Sequence, residues 1–336
     1  MTLRSTLVIA EAGVNHNGDI ETALSLVDVA TESGADIVKF QTFTADQLAT
    51  QDAAKAEYQK AKTSNTETQF EMLRKLELSH NDHLAIIERC QERGIGFLST
   101  GFDIGNVDML VGLGMDRIKI PSGEITNLPY LRHIGGLGLP IILSTGMADL
   151  EEVCNAIDVL LACGSSKSDV TILHCTTDYP AAMGDVNLQA MVTMRDAFGV
   201  EVGYSDHTLG HEVAVAAVAL GAVVIEKHLT LDRKYAGPDH AASLEPAEFA
   251  NMVRAIRNIE IALGDGIKRP RSSEFANMAV ARKSLVASGR IQEGEAFTSM
   301  NISAKRPGSG LSPMLWDEVL GQTATREYAP NEMIEL

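Results

Sequence analysis

No apolar run in the chain is long enough to cross a bilayer: the longest, Val213–Ile225, has 13 residues and contains Gly221, where a span needs about 20. A leader sequence is not expected either, because the apolar stretch Leu7–Ala10 behind Arg4 stops at Glu11, short of a signal-peptide core. Cysteines are few and unpatterned. Cys90, Cys154, Cys163 and Cys175 form no CxxC pair, which argues against a disulfide framework or zinc site and for reduced thiols in a cytoplasmic protein. Aromatics make up only 5%, and 28 Lys+Arg stand against 45 Asp+Glu for a net charge of −17. So acidic a chain repels phosphate backbones, which excludes general nucleic-acid binding; an anionic substrate would have to be met by locally placed cations. No G-x-G-x-x-G follows the first strand-like run, which weakens a dinucleotide-binding doubly wound sheet.

What remains is an ordinary globular composition, 45% apolar and 22% charged over 336 residues, enough for two domains or a large barrel with a small appendix. Eight short β-branched runs alternate with amphipathic stretches: Leu7–Glu11, Ile37–Gln41, Ile95–Thr100, Arg117–Pro121, Pro140–Thr145, Val170–Cys175, Val200–Ser205 and Ala222–His228. Between the first two, Ile20–Ser33 carries Ala23, Leu26, Val27 and Ala30 on one helical face and stops at Gly34. Eight β–α alternations predict a parallel sheet closed into a (β/α)8 TIM barrel over 1–265. The pattern changes near Leu263. A polar, Gly- and Pro-containing stretch predicts a linker, set at 266–281, and 282–336 reads as a small, loop-rich β-type domain. At about 55 residues such a domain is marginal on its own, so docking on the barrel or on a second subunit is expected.

A barrel enzyme concentrates its chemistry at the C-terminal ends of its strands, and polar residues gather there eight times over. In order, the ends carry Glu11 with Asn15-His16-Asn17-Gly18; Lys39 and Gln41; Ser99-Thr100; Lys119, Ser122 and Glu124; Ser144; His174 through Tyr179-Pro180; Ser205 and His207; and Glu226-Lys227-His228. Lys39 and Lys119 lie inside otherwise apolar runs. Each can be a carboxylate-paired buried lysine, part of a phosphate or carboxylate pocket, or a Schiff-base amine; the pocket is favoured because an unpaired buried lysine is costly. His207 and His228 end adjacent strands and read either as a hydrogen-bonded pair or as ligands for a weakly held divalent ion. Glu11 and Glu124 are available for acid–base work, for gripping hydroxyls, or for capping and ion pairing. Asp239 sits in a turn, Gly237-Pro-Asp-His240, and Arg306 in a basic spot of the C-terminal tail, Lys305-Arg306-Pro307-Gly308.

Taken together, AEAGVNHNG, VKFQTF, KIPSGEITNLPYL, ILSTGM, HCTTDYP, GYSDHT, IEKHLTLDR with GPDH and SLEP, ARKSLVA and KRPGSGLSP resemble the sialic-acid synthase family over nearly the whole chain. The resemblance implies a TIM barrel joined to a C-terminal antifreeze-like (SAF) domain in a domain-swapped homodimer. It implies condensation of phosphoenolpyruvate with an N-acylated mannosamine-type sugar to a nonulosonic acid. Under it, His207 and His228 would hold Mn²⁺ or Mg²⁺; Lys39, Thr100, Lys119, Ser122, Ser144 and Ser205 would bind phosphoenolpyruvate. Glu11, Gln41, Tyr179 and Asp239 would contact the sugar, a partner chain's Arg306 its N-acyl group, and Glu124 would handle protons. Details lean towards N,N′-diacetyllegionaminate synthases, which act on 2,4-diacetamido-2,4,6-trideoxymannose, over N-acetylneuraminate synthases, which act on N-acetylmannosamine; a non-catalytic carbohydrate-binding protein is the reading of a different class. The usual third-strand Ser-Thr-Pro-Phe is Ser99-Thr-Gly101-Phe here, which predicts a looser loop behind Thr100. Thr177 stands where some members have Asn.

Overall fold

The computed structural model describes residues 5–55 and 68–336, and the chain divides into two compact units, 1–265 and 266–336. In the first, eight strands form one parallel sheet: β1 (Leu7–Gly13), β2 (Ile37–Thr42), β3 (Gly96–Gly101), β4 (Ile118–Ile120), β5 (Ile141–Ser144), β6 (Val170–His174), β7 (Glu201–Asp206) and β8 (Val224–His228). Their order, β3-β2-β1-β8-β7-β6-β5-β4, is a ring cut once, and β3 and β4 are neighbours across the cut. The barrel is nearly closed. Each expected strand is present with its ends moved by one or two residues.

Helices cover the outside because their apolar stripes have nowhere else to go. The helix Ile20–Glu32 buries Ala23, Leu26, Val27 and Ala30, is capped by the Asp19 carboxylate, and ends before Gly34 at φ +82°. Barrel and helices share one apolar core dominated by Ile, Val and Leu. Gly101 is not a point of looseness: a Cβ there would come within 2.9 Å of the Val107 backbone nitrogen, and its carbonyl accepts the buried Tyr130 hydroxyl. Glycine lets the following helix pack directly on β3.

The second unit pairs β9 (Ser284–Ala287) antiparallel to β10 (Ile302–Lys305). It has its own core, in which Leu285, Ile291, Phe297, Ile302, Val319, Tyr328 and Ile334 are fully buried. The stretch expected as a linker carries the short helix Phe275–Ala281. Among the described residues no helix is long and apolar enough to cross a membrane.

Candidate active site

Side chains alternate in and out along a strand, so the strand register determines which polar residues meet. Glu11 pairs with Lys39 on one side and His228 on the other; Gln41 pairs with Thr100, and Ser205 with Glu226. All lie at the C-terminal mouth, around a cavity of about 490 Å³. Twelve candidates from the sequence line it: Glu11, Lys39, Gln41, Thr100, Lys119, Ser122, Ser144, Tyr179, Ser205, His207, His228 and Asp239. Two do not. Glu124 lies on the turn Ser122–Glu124, where its carboxylate accepts from Asn127 Nδ2 at 2.6 Å. Arg306 belongs to the second unit, where its Nε donates to the Ala281 carbonyl at 3.1 Å.

The two lysines share a carboxylate that the candidate set omitted. Lys39 Nζ is 2.7 Å from Glu11 Oε2 and 3.7 Å from Glu226 Oε2, and it donates to Thr100 Oγ1 at 3.1 Å. Lys119 Nζ donates to Ser144 Oγ at 2.7 Å and is 3.7 Å from Glu226 Oε1. All four charged groups are buried. Burial would depress Lys39, but Glu11 and Glu226 outweigh it and hold the ammonium above its ordinary value. Lys119, with Glu226 at the same 3.7 Å but no carboxylate as near as Glu11 is to Lys39, is left below its ordinary value by burial. Burial would raise Glu226, yet Lys119 and Lys39 hold it below the usual carboxylate value, whereas Glu11 is raised by burial and by Glu226. Glu226 was findable: it shares a strand face with His228, two residues on, and Lys227 points the other way.

His207 and His228 face one another with ring centroids 5.5 Å apart, and Tyr179 lies against both at 4.2 and 5.6 Å. A carbonyl only accepts, so the 2.6 Å contact from His207 Nδ1 to Thr176 O fixes the proton on Nδ1 and leaves Nε2 a lone pair. His228 Nδ1 is buried with no hydrogen-bond partner among the described residues; Asp239 Oδ2 lies 3.9 Å away. Burial keeps both imidazoles neutral, pushing His207 down and His228 well down, and it raises Asp239 to about 7. Neutral imidazoles with one lone pair aimed inward and one orphaned nitrogen fit a divalent cation. Among the described residues no group of three or more His, Cys, Asp or Glu is spaced to enclose an ion. A cation here would therefore take its other ligands from water or substrate, as in an open site.

Ser122 Oγ lies 3.3 Å from Cys175 Sγ and accepts from Gly146 N at 3.0 Å, so β4, β5 and β6 meet at one polar corner. Gln41 Nε2 donates to Glu11 Oε1 at 3.0 Å, and Gly13 is pressed against Glu11, Gln41 and Asp239, each within 3.6 Å of where its Cβ would stand. The cavity thus has an ammonium-rich floor, a carboxylate and amide group beside it, and an imidazole pair next to both.

Residues 26–268 match the NeuB family and residues 282–335 the SAF domain. The N,N′-diacetyllegionaminic acid synthase of Campylobacter jejuni is 51% identical over 99% of both chains. That of Legionella pneumophila is 50% identical over 94% of this chain and 89% of its own. Among solved structures, the N-acetylneuraminic acid synthetase of Leptospira borgpetersenii is 34% identical with a TM-score of 0.72, covering 82% of this chain and 91% of that one.

Proposed function

The chain belongs to the NeuB family, and from that premise we propose that its cavity condenses phosphoenolpyruvate with 2,4-diacetamido-2,4,6-trideoxymannose and water, releasing phosphate and giving N,N′-diacetyllegionaminate. The observation that carries this reading is the pair of buried ammonium groups beside a pair of neutral imidazoles in one barrel mouth. The half-identical relatives support the sugar.

Lys39 and Lys119 hold the phosphate and carboxylate of phosphoenolpyruvate, with Thr100, Ser122, Ser144 and Ser205 supplying hydroxyl donors. Glu11, Gln41 and Asp239 grip the sugar's polar groups, and Tyr179 packs against the imidazoles. His207 and His228 are the residues to hold Mn²⁺ or Mg²⁺, which when bound supplies Lewis-acid polarisation of the open-chain aldehyde. C3 of phosphoenolpyruvate forms the bond to that aldehyde carbon, water adds to C2, and the tetrahedral centre expels phosphate to leave the 2-keto acid. Fixing two reactants and answering charge in a dry pocket supply most of the acceleration. Glu124, on the turn that brings Ser122 and Gly123 to the cavity, is the carboxylate for the proton transfers. The family resemblance supports a homodimer in which a second copy's Arg306 reaches the N-acyl group, and four free cysteines support a cytoplasmic setting.

The test is phosphate release with saturating phosphoenolpyruvate and Mn²⁺. The trideoxy sugar is expected to give a kcat/KM at least about tenfold above N-acetylmannosamine. The reverse preference would make the protein an N-acetylneuraminate synthase, and no release with either would end the synthase reading. His207→Ala is expected to lose about a hundredfold or more in turnover; near-wild-type turnover would remove the imidazole pair from the chemistry.

A further inference from the structure

The cavity changes character with height. Along β2 and just beyond it, Lys39, Gln41 and Phe43 follow at two-residue steps, all lining the cavity, and each step climbs about 6.6 Å towards the mouth. On β3 and its exit the same order recurs, Thr100 and then Phe102. Met72, Leu73 and Leu76, on and after the helix Gln69–Arg74, complete this upper side. These residues pack into an apolar cluster separate from the barrel core, with Phe43 and Phe102 edge to face at 5.9 Å. Gln69 brings an amide to the same rim.

Such a rim cannot serve the phosphate or carboxylate of phosphoenolpyruvate, whose charge would be desolvated there without a counter-ion. A sugar reacting through C1 at the charged floor instead sends its far end, C4 to C6, up to the rim. In N-acetylmannosamine that end bears three hydroxyls. In the trideoxy sugar it bears an acetamido group at C4 and a methyl at C6. Resting on the synthase reading above, we propose that the Phe43–Met72–Leu73–Leu76–Phe102 rim selects the sugar, burying the C6 methyl and the C4 acetyl methyl while Gln69 pairs with the C4 amide. Selectivity is set by removing water from apolar surface and by offering a C6 hydroxyl no partner.

Two measurements test this, both by phosphate release at saturating phosphoenolpyruvate. With the wild-type protein, the trideoxy sugar is compared with its 6-hydroxy analogue, 2,4-diacetamido-2,4-dideoxymannose; the analogue is expected to lose about tenfold in kcat/KM, and equal values would overturn the rim's role. With Met72→Gln, which exchanges a thioether for an amide at similar length, the ratio of kcat/KM for the trideoxy sugar over N-acetylmannosamine is expected to fall about tenfold, with the KM for phosphoenolpyruvate changed less than twofold. A parallel loss on both sugars, leaving the ratio intact, would overturn it. Failure of the synthase reading is distinguishable, since it shows as a wild type that releases phosphate with none of the three sugars, and it takes the inference with it.

Discussion

Glu226 stands between two lysines and sets how each behaves. It is 3.7 Å from both ammonium groups and accepts from Ser205 Oγ at 3.1 Å. Lys39 has Glu11 in addition; Lys119 has only a serine at close range, and burial leaves it below its ordinary value. Lys119 is thus the lysine whose charge the fold supports least, the expected mark of a group kept for a ligand. In Lys119→Met, phosphate release is expected to fall about a hundredfold or more. Stability in urea should change by no more than about 1 kcal/mol, because removing a buried ammonium offsets the lost pair. Retained activity with a large stability loss would make Lys119 structural. The candidate lysines and histidines were legible because charge inside an apolar run is conspicuous. Glu226 was not singled out, because Glu-Lys-His at a strand end shows three polar residues and only alternation tells which two face inward. Glu124 was singled out by its place just after a strand; because a turn does not keep strand alternation, the sequence alone does not tell which way its carboxylate points.

Strand ends also carry a hidden second layer. Asp206 and Lys227 follow Ser205 and Glu226 in register but point away from the cavity, where they pair at 2.8 Å with neither side chain exposed. Asp206 Oδ1 also accepts from Thr208 N and Oγ1, and Lys227 Nζ donates to Thr208 O at 2.5 Å. This buried knot ties β7 to β8 next to His207 and His228. Asp206→Asn leaves Lys227 uncompensated and is expected to cost about 3 kcal/mol in urea unfolding and to weaken Mn²⁺ binding about tenfold or more by calorimetry. The double variant Asp206→Asn/Lys227→Met should recover most of the stability. If the single variant is neutral on both counts, the knot has no positioning role. The turn after β1 makes a different demand. His16 Nδ1 accepts the Gly18 N–H at 3.0 Å, and burial lowers the imidazole to about 4. Its proton is therefore bound more readily by the unfolded chain, near 6.5, so its contribution to stability is complete above that pH and lost as the pH falls towards 4. Between pH 7.5 and 5 that amounts to about 2 kcal/mol; urea melts of His16→Gln should show a flatter pH dependence by that amount, and an identical slope would mean that His16 stays hydrated. The elements themselves were readable from period and punctuation. The packing of Gly101 against Val107 was not, since a glycine in sequence looks the same whether it loosens a loop or admits a neighbour.

For the whole molecule, two facts from composition survive into the structure with different fates. The change of pattern near Leu263 coincides with a change of compact unit, because each side has its own apolar residues to bury. The net charge of −17 has no single location; it is a field, and a polyanionic substrate must cross it. Among the described residues, Lys39 and Lys119 are the Lys and Arg side chains lining the cavity, and both are buried and partly neutralised by Glu11 and Glu226. Attraction of phosphoenolpyruvate is thus short in range, and repulsion by the surface carboxylates is long in range. Raising ionic strength from about 0.01 M to 0.15 M shortens the screening length from about 30 Å to about 8 Å, which removes the distant repulsion and leaves buried contacts nearly intact. The KM for phosphoenolpyruvate is therefore expected to fall two- to threefold over that range, at constant free Mn²⁺, with the KM for the uncharged sugar unchanged. A KM that rises with salt would mean that cations outside this cavity dominate the approach, and the basic loop around Arg306 would be the first place to look.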